Sequence, residues 1–172
     1  MSVPAIAATA QRSPASFYTY FDSKAALLTT LAGEAVEAFA AELRAELVSP
    51  SPVATLVPRV TAVVWHAYRR ELPLFLSSFQ AATRDLELEP WHSLRAALTS
   101  TIGEVDRRIA DAGGSPPPDH QGTASALASM LEMFCFVWLG QGGDDPGLDL
   151  DDDMAIATLT AMWSATVGAQ PE

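Results

Sequence analysis

The sequence predicts an all-α fold. Hydrophobic residues make up 49% of its 172 positions, and alanine and leucine are abundant among them. Runs of β-branched residues are few, and no Asn-Gly or Asp-Gly dipeptide marks a hairpin. Apolar residues instead recur at steps of three and four, which is the period of an amphipathic helix. This length can form one sizeable core, or a small head with one larger domain.

Two short helices are predicted at the start of the chain. Ser13 is a suitable N-cap, and Pro14 suits the first helical position because the N–H that proline lacks is not needed there. Phe17 and Phe21 lie four residues apart, so they share one buried face. Ser2 and Pro4 predict the start of another helix in the same way, on the N-terminal side of Gln11. Together the two helices predict a helix-turn-helix.

Residues 2–28 carry a spaced pattern of small, aromatic and hydroxyl-bearing residues. It reads Ile6-Ala7-x-x-Ala10-x-x-Ser13-x-x-x-Phe17-Tyr18-x-Tyr20-Phe21-x-Ser23-Lys24-x-x-Leu27-Leu28. This pattern resembles the DNA-binding signature of the TetR family of transcriptional repressors. The rest of the chain resembles the family in architecture and is weakly similar to the branch of the ethionamide-activation repressor. The resemblance implies an incomplete helix-turn-helix head over residues 1–24 and a helical effector-binding and dimerisation body over residues 25–172.

By this resemblance, the head binds double-stranded operator DNA. Ser16, Tyr18 and Tyr20 match recognition-helix positions that meet bases or phosphates, and Lys24 matches a lysine that meets a phosphate. The full set of implied DNA-binding residues is Arg12, Pro14, Ala15, Ser16, Tyr18, Thr19, Tyr20 and Lys24. The alternative interpretation places the two tyrosines in the core of a small helical corner.

Two departures from the family pattern concern the head. The family usually has glycine where this chain has Gln11, in a turn whose left-handed backbone strains a residue with a side chain. A full helix also normally precedes Val3 and packs across the next helices. We therefore expect either that the true start of the protein lies upstream of Met1, or that the head lacks one of its three helices.

The charge distribution is compatible with a DNA partner. The formal net charge of −11 by itself argues against one, because affinity for DNA comes largely from neutralised phosphates. Residues 1–24, however, carry two cations, Arg12 and Lys24, against the single anion Asp22. The predicted head is therefore weakly positive, and the excess of negative charge lies in the body.

Six helices are predicted for the body from apolar periodicity and from prolines. The first is about 37 Å long, enough to connect a head with a separate body, and Pro50 and Pro52 end it. In the family, a tilt of this helix transmits ligand binding to the head. The predicted ranges are 24–48, 53–70, 74–85, 121–139 and 152–167, together with a helix that Pro90 opens and Gly113 ends.

A pocket for a small hydrophobic effector is the second function that the resemblance implies. Large aromatic or flexible side chains on several helices are typical of such a lining. The predicted ligand-binding residues are Trp65, Phe79, Trp91, Leu98, Ile102, Met130, Leu131, Phe134 and Trp138. The alternative is that these residues fill an ordinary core.

A homodimer is also predicted. The second half of the helix over 121–139 is apolar on every side, and such a helix is buried on every side. This helix would be buried on every side if a second subunit covered one side and a core or cavity lay on the other. In the family the last two helices form a four-helix bundle at a twofold axis, which implies interface residues Phe136, Leu139, Ile156, Leu159, Met162 and Trp163.

No membrane segment and no secretion signal are predicted, and a cytoplasmic location is expected. The apolar start of the chain has no basic leader, and the longest apolar stretch, Ala126 to Leu139, is interrupted by Glu132 and too short to span a bilayer. The single cysteine, Cys135, agrees with a reducing compartment and is expected to be an inert core thiol.

No cofactor, metal or catalytic motif is predicted. Asp149, Asp151 and Asp153 have the alternate spacing of a calcium loop, but Met154 stands where glycine is needed and no distal glutamate follows. Carboxylates before a helix favour its positive end instead. The regulator is therefore the predicted function, and the alternative is a dimeric ligand-binding or interaction protein whose DNA-binding head is incomplete.

Overall fold

The computed structural model describes residues 2–82, 89–115, 117–145, 147 and 150–168. Within these ranges the chain forms α-helices and no strand, so the predicted all-α fold is confirmed. The helices are α1 (Val3–Thr9), α2 (Pro14–Tyr20), α3 (Lys24–Val48), α4 (Leu56–Ala82), α5 (Glu89–Asp111), α6 (His120–Cys135) and α7 (Asp152–Thr166). A 3₁₀ turn, Val53–Thr55, precedes α4, and a π-helical turn, Phe136–Gly140, follows α6.

Helices α1 and α2 form a small head with a thin core. The Ser13 hydroxyl accepts a hydrogen bond from the Ser16 N–H at 3.1 Å, so the predicted N-cap of α2 is present. Phe17 is buried, and its ring centroid lies 5.6 Å from that of Phe21. In α1 and α2, both fully described, Ala7 is the only other buried side chain. Little apolar area therefore stabilises the head.

Helix α3 runs without a break from the head into the body. The Ser23 hydroxyl accepts a hydrogen bond from the Ala26 N–H at 3.1 Å and caps its start. Its 25 residues give the predicted length of about 37 Å. In its second half Val36, Phe39 and Leu43 are buried, and this half packs against α4 and α5. The boundary between residues 24 and 25 stays a prediction, since one continuous helix crosses it.

The predicted helix break at Pro73 is wrong. Helix α4 continues from Leu56 to Ala82 with Pro73 inside it. The proline is exposed, whereas Tyr68 and Phe75 on either side are buried in the body core. Proline removes one backbone hydrogen bond from a helix interior, and the packing of these neighbours outweighs that local cost. Residues 83–85, the end of the predicted helix 74–85, lie outside the described residues.

Helix α5 presents the apolar stripe that the sequence predicts. Leu94, Leu98 and Ile102 are almost fully buried along one face. The helix is followed by Gly113, whose φ of +96° is a conformation that residues with side chains rarely adopt. The next N–H, that of Gly114, donates to the carbonyl of Ile109 at 2.9 Å and closes the helix end.

The helix after residue 120 leaves apolar side chains exposed in this single chain. It is α-helical only to Cys135 and then widens into the π-helical turn, whereas the sequence predicted one regular helix over 121–139. In the described ranges, His120–Gly140 is the one helical stretch long and apolar enough to cross a membrane, and 28% of its most apolar 18-residue window is buried. The sequence pattern instead predicted that the apolar stretch Ala126 to Leu139 is too short to do so. The core helix of a soluble protein passes the same test, so this is weak evidence for a membrane.

A buried polar contact joins α5 to α7. The Trp163 indole N–H donates to Asp106 Oδ1 at 3.0 Å, and both residues are fully buried. Asp106 Oδ2 has no hydrogen-bond partner among the described residues. Burial raises the pKa of the Asp106 carboxyl above its usual value, while the hydrogen bond from Trp163 opposes the shift. The carboxylate therefore lowers the stability of the folded state when it is charged.

Asp106→Asn is expected to stabilise the protein at neutral pH. Asparagine keeps an oxygen for the Trp163 N–H and removes a charge that burial disfavours. Since the folded pKa lies above the unfolded value, wild-type stability falls as the pH rises from about 4 through the folded pKa. Urea unfolding at pH 8 should show a gain of about 1 kcal/mol in the free energy of unfolding, shrinking toward pH 4.

The matched control is Asp111→Asn, on the same helix. Asp111 is exposed and pairs with Arg107 on the surface, so its replacement should change the free energy of unfolding by less than about 0.5 kcal/mol. A gain for Asp106→Asn that is equal at both pH values would contradict the buried-charge explanation.

Candidate functional site

Most of the predicted DNA-binding residues are exposed on the head. Tyr18 and Tyr20 expose 58% and 77% of their surface, so they do not form part of the head core. Ser16 is half-buried. The exposed members of the set are Arg12, Pro14, Ala15, Tyr18, Thr19, Tyr20 and Lys24. Their hydroxyl groups and cations are therefore accessible to a large partner.

The turn between α1 and α2 is a tight helix end centred on Gln11. The Arg12 N–H donates to the Ala7 carbonyl at 2.8 Å, and the Gln11 N–H donates to the Ala8 carbonyl at 3.0 Å, which together form a Schellman motif. Gln11 has φ +54°, the positive value that this motif usually gives to glycine. The left-handed backbone predicted for this position from the sequence is therefore confirmed, whereas its energetic cost stays a prediction.

A cavity of about 330 Å³ lies between α4, α5 and α6. Its walls are mainly apolar and aromatic, and the rings of Phe79 and Trp91 meet edge to face at 5.3 Å. Phe79 is 44% exposed, so the cavity is open on this side. The lining consists of Tyr68, Phe75, Leu76, Phe79, Trp91, Leu94, Arg95, Ser129, Glu132, Met133 and Phe136.

Three polar side chains meet at the wall of this cavity. Arg95 Nη1 donates to Glu132 Oε2 at 2.5 Å, and the Tyr68 hydroxyl donates to Glu132 Oε1 at 3.3 Å. Arg95 Nη2 also donates to the carbonyl and the hydroxyl of Ser125, both at 3.2 Å. Burial raises the pKa of Glu132, and Arg95 acts in the opposite direction. Burial and the nearby Glu132 raise the pKa of the Tyr68 hydroxyl, which therefore stays protonated.

The structure brings only part of the predicted ligand-binding set to this cavity. Phe79 and Trp91 line it. Leu98, Ile102 and Leu131 are fully buried and fill the core, as the alternative interpretation held. Met130 and Phe134 are half-buried and pack against that core, and Trp65 and Trp138 lie at a different, more polar cavity beside Asp152.

Sequence reasoning missed most of the cavity lining because it counted only large apolar residues. The helical period could have found more of it, since Tyr68, Phe75 and Phe79 lie at spacings of seven and four on α4. On α6, Ser129 and Glu132 interrupt the otherwise apolar run over residues 126–135. Polar residues at such positions indicate either a cavity or a hydrogen-bonded partner.

The predicted dimer residues divide into buried and accessible groups. Leu159 and Trp163 are already covered within the protomer, so they have no side-chain surface left for a partner. Phe136 lines the cavity instead. Leu139 and Ile156 are half-buried, and Met162 is 55% exposed. The assembly itself stays a prediction.

The cavity contacts the long helix through aromatic rings. Phe39 of α3 is fully buried, and its ring centroid lies 5.8 Å from that of Phe75 and 6.5 Å from that of Tyr68. Both of these rings also line the cavity. Phe39 is therefore the point at which α3, the helix that leads to the head, contacts residues of the cavity wall.

No metal centre appears in the described residues. They contain no group of three or more His, Cys, Asp or Glu side chains that could hold an ion, and Asp149 of the rejected calcium pattern lies outside them. Cys135 is fully buried, and burial with the nearby Glu132 raises the pKa of its thiol to about 12. The thiol is therefore unreactive at neutral pH.

Comparisons with known proteins agree with the resemblance seen in the sequence. Residues 1–31 match the family model for bacterial regulatory proteins of the tetR family. The fold is similar to the crystal structure of a TetR family transcriptional regulator, PfmR, from Thermus thermophilus, with 19% identity, a TM-score of 0.71, and coverage of 97% of this chain and 87% of that one. No curated protein matches the sequence.

These findings confirm the predicted TetR-like head sequence and the predicted TetR-like fold. The similarity to the ethionamide-activation repressor branch stays a prediction.

Gln11→Gly is expected to stabilise the head. Glycine adopts φ +54° without the steric cost that glutamine bears, although its freedom in the unfolded chain offsets part of the gain. We expect up to about 1 kcal/mol of extra protection for the α2 amides in hydrogen exchange, such as that of Phe21. Gln11→Ala keeps a Cβ and serves as the control; an equal gain with alanine would mean that the turn is not strained.

Proposed function

We propose that this chain is a dimeric, TetR-like transcriptional regulator that represses by binding operator DNA and is released when a small apolar effector enters the cavity. The observation that carries this proposal is the aromatic contact from the cavity to α3. Tyr68 and Phe75 are both cavity wall and the packing partners of Phe39. One site is thereby coupled to the other through a single rigid helix.

The composition of the head supports DNA binding. Tyr18, Tyr20 and Thr19 present hydroxyl groups that suit phosphate or base contacts, and Lys24 lies exposed at the first turn of α3. The head is weakly positive, whereas the rest of the chain is strongly acidic. Electrostatic repulsion would keep the body away from DNA, so only the head would approach it.

The length of α3 supports an amplified response at the head. From Phe39 to Lys24 the helix rises about 22 Å. A tilt of about 10° at Phe39 would displace the end at Lys24 by about 4 Å, which is a large fraction of a major-groove width of about 12 Å. In a dimer, such a movement would change the distance between the two heads, which would then no longer match the spacing of the two half-sites on the DNA.

The open apolar face supports a dimer. Met133 on α6 and Met154 and Met162 on α7 are each about half exposed, and most of His120–Gly140 is not buried in the protomer. Large apolar side chains that are exposed in a single chain are typical of an interface. A twofold dimer through it would give two heads for two operator half-sites.

A second candidate function is a dimeric ligand-binding or interaction protein whose head does not hold DNA. The thin core of the head favours it, because only Ala7 and Phe17 are buried in α1 and α2. In that case ligand binding would persist and DNA binding would be absent.

DNA binding by the full chain should be tight and salt-dependent. Fluorescence-anisotropy titration against the DNA flanking its own gene, at several salt concentrations, measures it. Lys24→Ala should weaken binding to all sequences and lower the slope of log K against log salt by about 1. Tyr20→Phe should weaken binding while leaving the slope unchanged.

The control for Lys24→Ala is Arg107→Ala. Arg107 is an exposed cation of the body that pairs with Glu104 and Asp111, so its loss should leave the slope unchanged. An unchanged slope for Lys24→Ala would remove this residue from the DNA contacts. No binding by the wild-type chain would favour the second candidate function.

Filling the cavity by mutation should imitate the effector. Ser129→Phe places a ring at an exposed position on the cavity wall and should weaken DNA binding about tenfold, a coupling of about 1.4 kcal/mol. Adding Phe39→Leu should restore much of the affinity, because the smaller side chain loosens the contact that transmits the change. Anisotropy titrations of both single variants and the double variant form the cycle.

Ser100→Phe is the control for this cycle, since Ser100 is exposed on α5 away from the cavity. It should leave DNA binding unchanged. Equal weakening by Ser129→Phe with and without Phe39→Leu would show that the two sites are not coupled through Phe39.

A further inference from the structure

We infer that the cavity selects an uncharged, ring-bearing molecule with one hydrogen-bond donor, and that Glu132 accepts the hydrogen bond from this donor. The inference rests on the proposed effector role of the cavity and specifies the chemistry of the effector. Three features carry it, namely the shape of the walls, the balance of charge, and the free acceptor capacity of one carboxylate oxygen.

The walls favour an aromatic ring. Phe79 and Trp91 meet edge to face at 5.3 Å, and Tyr68 and Phe75 do so at 4.8 Å. Leu76 and Met133 complete an apolar lining. Aromatic side chains prefer edge-to-face or offset contacts with another ring, so a ring-bearing molecule would be held more specifically than a flexible chain.

The two charges at the cavity cancel each other. Among the residues that the structure describes, Arg95 and Glu132 are the only ones with charged side chains that line the cavity, and they pair at 2.5 Å with side-chain exposures of 18% and 12%. Arg95 is held further by Ser125, and its guanidinium carbon lies 5.8 Å from the centre of the Trp91 ring. An anion would have to displace Glu132 from Arg95, and a cation would have to displace Arg95 from Glu132. Either exchange leaves a mostly buried charge without its partner.

Glu132 Oε1 has room for another donor. An ionised carboxylate offers about four lone-pair positions. Oε2 accepts a hydrogen bond from Arg95, whereas the one donor to Oε1 among the described residues is the Tyr68 hydroxyl, at 3.3 Å. That distance is long for an O–H···O bond, which is usually about 2.7–2.8 Å. A hydroxyl or N–H of the bound molecule can therefore donate to Oε1 without disturbing the pair with Arg95.

Four probes of matched size test the inference on the full-length protein. They are 4-phenylbutan-1-ol, butylbenzene, 4-phenylbutanoate and 4-phenylbutylamine. Binding is measured by calorimetry and followed by intrinsic tryptophan fluorescence, to which Trp91 in the cavity wall contributes. The alcohol is expected to bind at least tenfold more tightly than each of the other three. The comparison with butylbenzene measures the donor, and the comparisons with the acid and the amine measure the charge balance.

Glu132→Gln should change the order of the probes. The variant frees Arg95 of its carboxylate partner, so 4-phenylbutanoate should become the tightest binder. Tyr68→Phe removes the present donor to Oε1 and should keep or increase the preference for the alcohol over butylbenzene. Glu71→Gln is the control, since Glu71 lies on α4 outside the cavity lining and pairs with Arg70. It should keep the wild-type order. Thermal unfolding followed by circular dichroism checks that each variant folds.

The outcomes distinguish a failure of the role assigned to Glu132 from a failure of the proposed effector role of the cavity. Binding of butylbenzene, the acid or the amine as tightly as the alcohol would overturn the role assigned to Glu132 while keeping the cavity as a ligand site. Absence of binding by all four probes would overturn the proposed effector role of the cavity, and the inference with it. If Tyr68→Phe folds and abolishes the preference for the alcohol, the donor interacts with Tyr68 rather than with Glu132.

Discussion

The packing of Phe39 against Tyr68 and Phe75 is the contact on which the body and its connection to the head depend. The three rings lie within 4.8–6.5 Å of one another, and all three residues are buried. Tyr68 and Phe75 are also cavity wall, so the same side chains serve the core and the candidate binding site. Because protein interiors are close-packed, the proposed coupling requires that a change at Tyr68 or Phe75 be passed to Phe39 and so to α3.

The head was predictable from the sequence because its signals are local. Ser13 and Ser23 each accept the backbone hydrogen bond expected of an N-cap, and Gln11 adopts the positive φ that its place in the turn requires. Each feature depends on a few neighbouring residues and on backbone chemistry. Pro73 shows the limit of local reasoning, since the burial of Tyr68 and Phe75 overrides a helix-breaking residue, and their apolar spacing alone does not show that the packing outweighs the local cost of proline.

The candidate cavity was only partly predictable for a different reason. Helical periodicity identifies the inward face of each helix, and it correctly placed Leu98 and Ile102 inside the protein. It does not say which inward positions pack against other side chains and which border a void. The distinction between the core residue Leu98 and its neighbour on the same helix, the cavity residue Leu94, depends on how three helices come together. Likewise, the ion pair of Arg95 and Glu132 depends on the packing of α5 against α6, which the sequence alone does not show.

The π-helical turn Phe136–Gly140 affects how related sequences can be aligned with this one. Its hydrogen bonds span five residues rather than four, so it holds about one residue more than an ordinary helical turn. A relative with an uninterrupted α-helix here would align correctly only with a one-residue gap near Phe136. Beyond a misplaced gap, each position would differ by about 100° around the helix axis. Cavity positions of this chain would then be compared with surface positions of the relative, and surface positions with cavity positions.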